Sequence, residues 1–201
     1  EQLYARAKPL FDELKSQFRI THFYFHDADG TTFLRVHKPE QFGDKNARNS
    51  FKLADTSNAL ASSLDMGKNF FSLRAVRPVL LNGQKIGYWE LAQEIDHVLP
   101  ATKRITGDNV AVLLRASYTE KKGTEIKGEK LDGLILLDAT DKALALSTAR
   151  TAGLSADSQT ARLHIGPNHA VMSFPFKDGA GEVAGLLVFT RDIQATRDAV
   201  Q

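Results

Sequence analysis

The sequence predicts an α+β fold in which an N-terminal helix precedes two sets of antiparallel strands. Apolar residues follow a helical period near the start of the chain, and the period changes to two from Arg19 onward. Turn sequences then separate pairs of strand-like segments. A chain of 201 residues with 42% hydrophobic and 25% charged residues has the composition of a folded protein and the length to bury a core.

The first element is predicted to be a helix over residues 1–18. Five apolar side chains fall along one helical stripe: Leu3, Leu10, Phe11, Leu14 and Phe18. Pro9 interrupts this stretch, so we expect either a kink there or a regular helix that begins near that residue.

Two β-hairpins are predicted next. Their four strands are residues 20–26, 31–37, 70–81 and 85–92. The first pair flanks the turn sequence Asp27–Gly30, and the second flanks Asn82–Gly83, in which both residues tolerate a positive φ. Residues 39–66, between the hairpins, are polar with scattered apolar side chains, and they are predicted to form loop and short helices.

The second half repeats this pattern more loosely. A helical connector is predicted around residues 95–105, bent or interrupted at Pro100. The predicted strands that follow are residues 110–116, 134–137, 142–147, 161–165, 170–176 and 183–190. The polar tail, residues 191–201, is compatible with a helix. Residues 19–98 and 99–192 are therefore predicted to be two modules of similar construction.

The composition excludes several classes of function. A net charge of +2 with no concentrated basic face argues against a nucleic-acid-binding protein. The absence of cysteine excludes a disulfide scaffold, a thiolate zinc site, a cysteine nucleophile and covalent c-type haem. No apolar run is long enough for a membrane span, but the chain begins at Glu1 without methionine, so we expect a piece of a longer protein.

The catalytic and cofactor motifs that the sequence approaches are incomplete. GAGEVA at 179–184 has the spacing of a dinucleotide fingerprint but continues as a strand where a helix is needed. Asp27 and Asp29 resemble the start of a calcium loop, but a lysine stands at the twelfth position. His22 and His26 share one strand face without a third metal ligand at a suitable spacing. We therefore expect no catalysis, no cofactor and no metal.

The strand at residues 31–37 is predicted to have two different faces. Alternation puts Phe33, Arg35 and His37 on one face and Leu34 and Val36 on the other. The aliphatic face can pack on the N-terminal helix. The other face then carries a cation, an imidazole and an aromatic ring.

Further charged residues are predicted on the same sheet. Arg74 faces away from its apolar neighbours, and Tyr88 and Glu90 share one face of the last strand of the module. Cations beneath the 39–66 excursion would suit a small carboxylate, which an arginine can hold through two hydrogen bonds. Spacing alone favours the alternatives that the arginines are surface positions or that Arg35 pairs with Glu90.

The first module contains four segments that are specific in combination. They are HFYFHDADG (22–30), FLRVHKPE (33–40), LRAVRPV (73–79) and GYWEL (87–91). Together they resemble the extracytoplasmic double Cache sensor domains found ahead of bacterial histidine kinases, chemoreceptors and diguanylate cyclases. The match covers residues 20–98, and the second half agrees mainly in FPFKD (174–178) and VFTRDI (188–193).

The resemblance implies an architecture and a location. The N-terminal helix would leave one membrane span, and an exit helix at residues 193–201 would enter a second span. Between them would lie two PAS-like modules, a membrane-distal one at 19–98 that binds the ligand and a membrane-proximal one at 99–192. The domain would be periplasmic, and the full-length receptor would be a homodimer. The second module lacks a comparable cationic pair, which favours a spacer.

The resemblance also implies a ligand class and its binding residues. Family ligands are small molecules, often organic acids or amino acids. The implied residues are Arg35, His37 and Arg74 for an anion, with Tyr24, Tyr88 and Glu90 beside them. An amino acid would need an acidic partner for its ammonium group, and Glu90 is the one available in this set.

Three functional hypotheses follow. The first is a domain that senses a small organic anion or amino acid and relays a conformational change across the membrane. The second is a ligand-free module that senses a partner protein or only dimerises. The third, an enzyme, ranks last because the sequence offers at most His37 with Glu90 as an acid–base pair.

Overall fold

The computed structural model describes residues 1–66 and 71–194, and the chain divides into two compact units. Unit 1 comprises residues 1–66 and 71–95, and unit 2 comprises the described residues from Asp96 onward. Each unit contains one antiparallel sheet with helices, so the predicted α+β fold class is confirmed. No helix in these described ranges has the length and apolar character needed to cross a membrane.

Unit 1 is built on a five-stranded sheet. Its elements are α1 (Gln2–Phe18), β1 (His22–Asp27), β2 (Thr32–Arg35), α2 (Asn49–Ser57), β3 (Ala61–Met66), β4 (Phe71–Leu81) and β5 (Gln84–Glu94). The strand order is β2-β1-β5-β4-β3, and every neighbouring pair is antiparallel. Both predicted hairpins are present, with Asn82 and Gly83 at positive φ in the second turn.

Helix α1 packs on one face of this sheet. Ala7 and Phe11 form a buried cluster with Phe23, Phe25 and Val36. The aliphatic face predicted for residues 31–37 therefore does meet the N-terminal helix. The prolyl residue at position 9 lies inside the regular helix, which begins before it, and the helix ends where Arg19 adopts the left-handed conformation.

Helix α2 covers the opposite face of the sheet. Its residues Phe51 and Ala54 pack with Val76 and Tyr88. The excursion at 39–66 contains this helix as predicted, but it also contains strand β3, which pairs with β4 at the sheet edge. The prediction missed β3 because its inward-facing positions include buried polar side chains, so the usual apolar alternation is absent.

Unit 2 is built on a six-stranded sheet. Its helices are α3 (Val98–Thr106), α4 (Ala116–Lys121) and α5 (Lys142–Thr151). Its strands are β6 (Asn109–Arg115), β7 (Lys130–Leu131), β8 (Leu134–Ala139), β9 (Arg162–Ile165), β10 (His169–Lys177) and β11 (Val183–Asp192). The order β7-β8-β6-β11-β10-β9 repeats the order of unit 1, with β7 added at one edge.

Two expectations for unit 2 were wrong, and one cannot be compared. Residues 142–147 are not a strand but the start of α5, because the Asp141 side chain accepts a hydrogen bond from the Leu144 backbone N–H (3.0 Å) and caps a helix. Pro100 does not bend the connector, because it lies in the first turn of α3, where backbone N–H groups have no partner within the helix. Of the exit helix at 193–201, all but two residues lie outside the described ranges.

The face of the unit 2 sheet that α5 covers is aliphatic. Leu113, Leu186 and Val188 pack there with Leu146 and Ala149 of the helix. The covered face of the unit 2 sheet is therefore packed with aliphatic side chains. The corresponding face of unit 1 buries charged and aromatic side chains instead.

Candidate functional site

The strand register of unit 1 brings several of the predicted site residues onto the face under α2. Tyr24 lies directly opposite Arg35 on one side and Glu90 on the other. Glu90 in turn lies opposite Val76, two residues from Arg74 on β4. Because directly opposed residues of an antiparallel pair share a face, these side chains converge in one layer.

The centre of this layer is the carboxylate of Glu90, whose side chain is fully buried. Nη1 of Arg74 donates to Oε1 at 2.5 Å. Oε2 is 2.9 Å from Nε2 of His26 and accepts a hydrogen bond from Nδ2 of Asn46 at 2.6 Å. Nη1 of Arg48 lies 3.8 Å from Oε1. Both oxygens are therefore already engaged.

Arg35 does not pair with Glu90, so that alternative is wrong. Its Nη2 donates to both oxygens of Asp44 at 2.7 Å, and its Nη1 donates to the carbonyl of Gln41 at 2.6 Å. The pairing follows from the chain path, since residues 41–44 return beside β2 after the turn at its end. Arg35 is thus neutralised by a carboxylate from the excursion.

Three guanidinium groups surround the ring of Tyr24. Their carbon atoms lie 5.5 Å (Arg35), 5.6 Å (Arg48) and 5.9 Å (Arg74) from the ring centroid. Contacts at this range are favourable for an aromatic ring and a cation. The tyrosine therefore separates like charges that would otherwise repel one another across a small layer.

Two imidazoles complete the layer. The ring of His37 lies 4.8 Å from that of Tyr24 and 4.5 Å from that of His22. Burial, together with nearby cations that include Arg74, lowers the pKa of both histidines to about 4, so both are neutral at pH 7. Nδ1 of His37 accepts a hydrogen bond from the Phe23 backbone N–H (3.2 Å), so its proton resides on Nε2.

The charged groups at the centre of the layer are the carboxylate of Glu90 and the guanidinium groups of Arg48 and Arg74. Burial alone would raise the pKa of Glu90, but the hydrogen bond with His26 and the charges of Arg48 and Arg74 lower it to about 2. Burial would likewise lower the pKa of Arg74, but the charge of Glu90 raises it. The carboxylate and both guanidinium groups are therefore ionised at neutral pH.

Tyr88 connects the covering helix to the sheet. Its hydroxyl donates to Oδ1 of Asp55 on α2 at 2.5 Å, and its ring packs on Phe51 with centroids 4.6 Å apart. Lys85 also donates to Asp55. The structure thus places the Tyr88 hydroxyl at the far end of α2 rather than beside Glu90.

Some buried polar atoms in this layer have no partner among the described residues. Arg74 is 3% exposed, and its Nε donates to no acceptor. Oγ of Ser50, at the start of α2, is buried and unpartnered as well. Near them, one oxygen of the buried Asp65 accepts from Ser63 Oγ (2.9 Å) and the Ser50 N–H (3.3 Å). Buried donors without acceptors are rare because each costs free energy, so each of these atoms needs an acceptor from an ordered water, an ion or a ligand.

Sequence reasoning missed His26, Asn46, Arg48 and Asp65. His26 was predicted to share a strand face with His22, but it was considered only as a metal ligand. The other three lie in the polar excursion or on the unpredicted strand β3, where no period marks a buried position. Among residues 1–66 and 71–194, no group of three or more His, Asp or Glu side chains could hold a metal ion.

Comparison with known families identifies the chain. Residues 1–196 match dCache_3, described as the double sensory domain of two-component sensor kinases. The chain belongs to this double Cache family. It is therefore a double sensory domain of the type described for two-component sensor kinases. No individually curated protein matches the chain.

Solved structures share the double Cache fold. The extracellular domain of a protein assigned as histidine kinase vpHK1S-Z8 has 16% identity and a TM-score of 0.55, over 100% of this chain and 79% of its own. A domain of a sensory box/GGDEF family protein from Vibrio parahaemolyticus has 15% identity and a TM-score of 0.53, over 94% and 78%. An extracellular ligand-binding receptor from Desulfohalobium retbaense has 13% identity and a TM-score of 0.53, over 94% and 33%.

The lowered pKa values of His22 and His37 predict that acid destabilises unit 1. Unfolded histidines have a pKa near 6.5, so between about pH 6.5 and 4 the unfolded chain binds more protons than the folded chain. The free energy of unfolding should therefore fall on acidification, by roughly 1 kcal/mol per pH unit for each histidine.

Urea unfolding followed by fluorescence of Trp89, the one tryptophan, measures this fall in unit 1. His22→Gln and His37→Gln should each make the pH dependence shallower, whereas His169→Gln in unit 2 should leave it unchanged. An equal slope in all four proteins would contradict the prediction.

Proposed function

We propose that unit 1 senses a small carboxylate that binds beneath α2 against Arg74 and Arg48. The observation that carries this proposal is the Nε of Arg74, a buried donor with no acceptor in the described part of the chain, on a side chain whose Nη1 already donates to Glu90. A carboxylate oxygen supplies that acceptor. Arg48 lies beside it, because both arginines reach the same oxygen of Glu90.

The charge balance of the layer supports an anion. Arg35 is compensated by Asp44, and the two arginines beside Glu90 share a single carboxylate. The cluster of Glu90, Arg48 and Arg74 therefore carries one net positive charge, apart from Asp65 on the same sheet face, and a monoanion bound at the arginines would neutralise it. The neutral His37 can donate from Nε2 without adding a further charge.

The contrast between the units supports the assignment of unit 1 as the membrane-distal, ligand-binding module. In unit 2 the face covered by α5 is filled by aliphatic side chains and offers no such layer. We place the domain on the extracytoplasmic side of a homodimeric receptor, held between two flanking spans. There, a ligand that binds one arrangement of unit 1 better than another shifts the population toward it and so changes the output.

Thermal unfolding in the presence of acetate, propionate, lactate, succinate or malate tests this proposal. A carboxylate present at 100 times its dissociation constant should add about 2.7 kcal/mol to the free energy of unfolding. Arg48→Gln should raise the dissociation constant of that carboxylate by about tenfold, since the substitution removes one charge-assisted hydrogen bond.

Lys52→Gln is the matched control, because Lys52 is an exposed cation on α2 that faces away from the layer. It should bind the carboxylate as the unaltered protein does. If no carboxylate stabilises the protein, or if both variants behave alike, the site is not as proposed. Absence of any small-molecule effect would instead favour a module that senses a partner protein.

An α-amino acid is a second candidate, and Asp65 is the observation that favours it. Glu90 cannot serve as the partner of an ammonium group, because both of its oxygens are engaged. Asp65 is a buried carboxylate that pairs with no cation among the described residues, and it lies diagonally across β3 and β4 from Arg74. A zwitterion could place its carboxylate on Arg74 and its ammonium on Asp65.

Alanine and propionate differ by the ammonium group alone and so distinguish the two candidates. If the ligand is an amino acid, alanine should bind at least tenfold more tightly, and Asp65→Asn should remove that advantage while leaving propionate unaffected. Asparagine keeps an oxygen that can accept from Ser50 and Ser63, so the fold should persist. Tighter binding of propionate would rule the amino acid out.

A further inference from the structure

A second guanidinium whose Nε has no acceptor among the described residues lies in unit 2, on the central strand β6. Alternation puts Arg115, the last residue of that strand, on the same face as Leu113, and Arg115 pairs across the sheet with Leu134. Its Nη2 donates to the backbone carbonyl of Ser158 at 2.9 Å. This bond brings the loop between α5 and β9 against the end of the strand.

Two hydrogen-bond donors at this point have no acceptor among the described residues. One is Nε of Arg115, and the other is Oγ of Ser158, a residue that is 7% exposed. No carboxylate in the described part of the chain lies within 4 Å of the Arg115 guanidinium. A further N–H of the same guanidinium, on Nη2, donates to the Ser158 carbonyl, so the two unused donors belong to residues in direct contact.

We propose that Arg115 and Ser158 form an oxyanion site in unit 2, separate from the site in unit 1. A guanidinium N–H and a hydroxyl are both donors, and an oxygen atom that carries negative charge satisfies both at once. The positive charge has no counter-charge nearby, so an anion is favoured over a neutral acceptor. Carboxylates and phosphates share this chemistry, and Arg115 as a whole is half-buried although its Nε and Ser158 Oγ are buried.

Titrations of the Arg48→Gln protein with sodium acetate and with inorganic phosphate, followed in ¹H–¹⁵N spectra, test the proposal. The Arg48 substitution weakens anion binding in unit 1, and chloride keeps the ionic strength constant. The Nε–H signal of Arg115 and the amide signal of Ser158 should shift and saturate with at least one anion. Saturation with acetate indicates a carboxylate site, and saturation with phosphate indicates a phosphate site.

Ser158→Ala should raise the dissociation constant of that anion by about tenfold, the loss expected for one hydrogen bond to a charged group. Arg115→Lys, which keeps the charge but loses Nε, should do the same. Ser173→Ala is the matched control, because Ser173 Oγ is also buried and unpartnered but lies on β10. The dissociation constant of the anion for the Ser173→Ala protein should equal that for the protein without this substitution.

Equal effects of Ser158→Ala and Ser173→Ala would overturn the proposal, and so would the absence of saturable shifts with both anions. In either case Arg115 would only hold the loop through the Ser158 carbonyl. Neither result bears on unit 1, because the readout comes from residues of unit 2 in a protein whose first site has been weakened.

Discussion

The arrangement of unit 1 depends on the burial of one carboxylate, that of Glu90, between Arg74, Arg48 and His26. A buried charge is tolerated only when it is paired and hydrogen-bonded, and here Oε1 accepts from Arg74 with Arg48 at 3.8 Å, while Oε2 is hydrogen-bonded to His26 and Asn46. The cluster fixes the excursion before α2 to the sheet through Asn46. It also orients Arg74 so that one of its N–H groups faces the layer without an acceptor.

The two units show how one strand order supports two different interiors. The sheet orders agree apart from β7, yet the covered face is aliphatic in unit 2 and charged in unit 1. The pairing of each hairpin in unit 1 was predicted from the sequence because turn residues such as Asn82 and Gly83 fix hairpin registers locally, but the order of the sheet was not predicted. Strand β3 and helix α5 were missed or misassigned, because polar inward positions hide a strand and KALALS fits either period.

The sequence led to most of the polar side chains in the layer but not to their pairing. Alternation placed Arg74 away from its apolar neighbours and Glu90 on a face with Tyr88, the family resemblance added Tyr24, and the register brings Tyr24, Arg74 and Glu90 onto one face. Which arginine pairs with Glu90 depends on tertiary geometry. Arg35 does not do so because it pairs with Asp44. The inward orientation of Arg48 could not be predicted, because a polar segment has no periodic pattern that distinguishes buried from exposed side chains.

The Nε–H signal of Arg74 in a ¹H–¹⁵N spectrum, assigned by its loss in Arg74→Lys, tests the central claim most directly. If the ligand carboxylate binds this group, titration should move the signal downfield and slow its exchange with solvent, with the same dissociation constant that calorimetry gives. If a carboxylate binds the protein while this signal stays where it was, the buried guanidinium is structural and the ligand binds elsewhere.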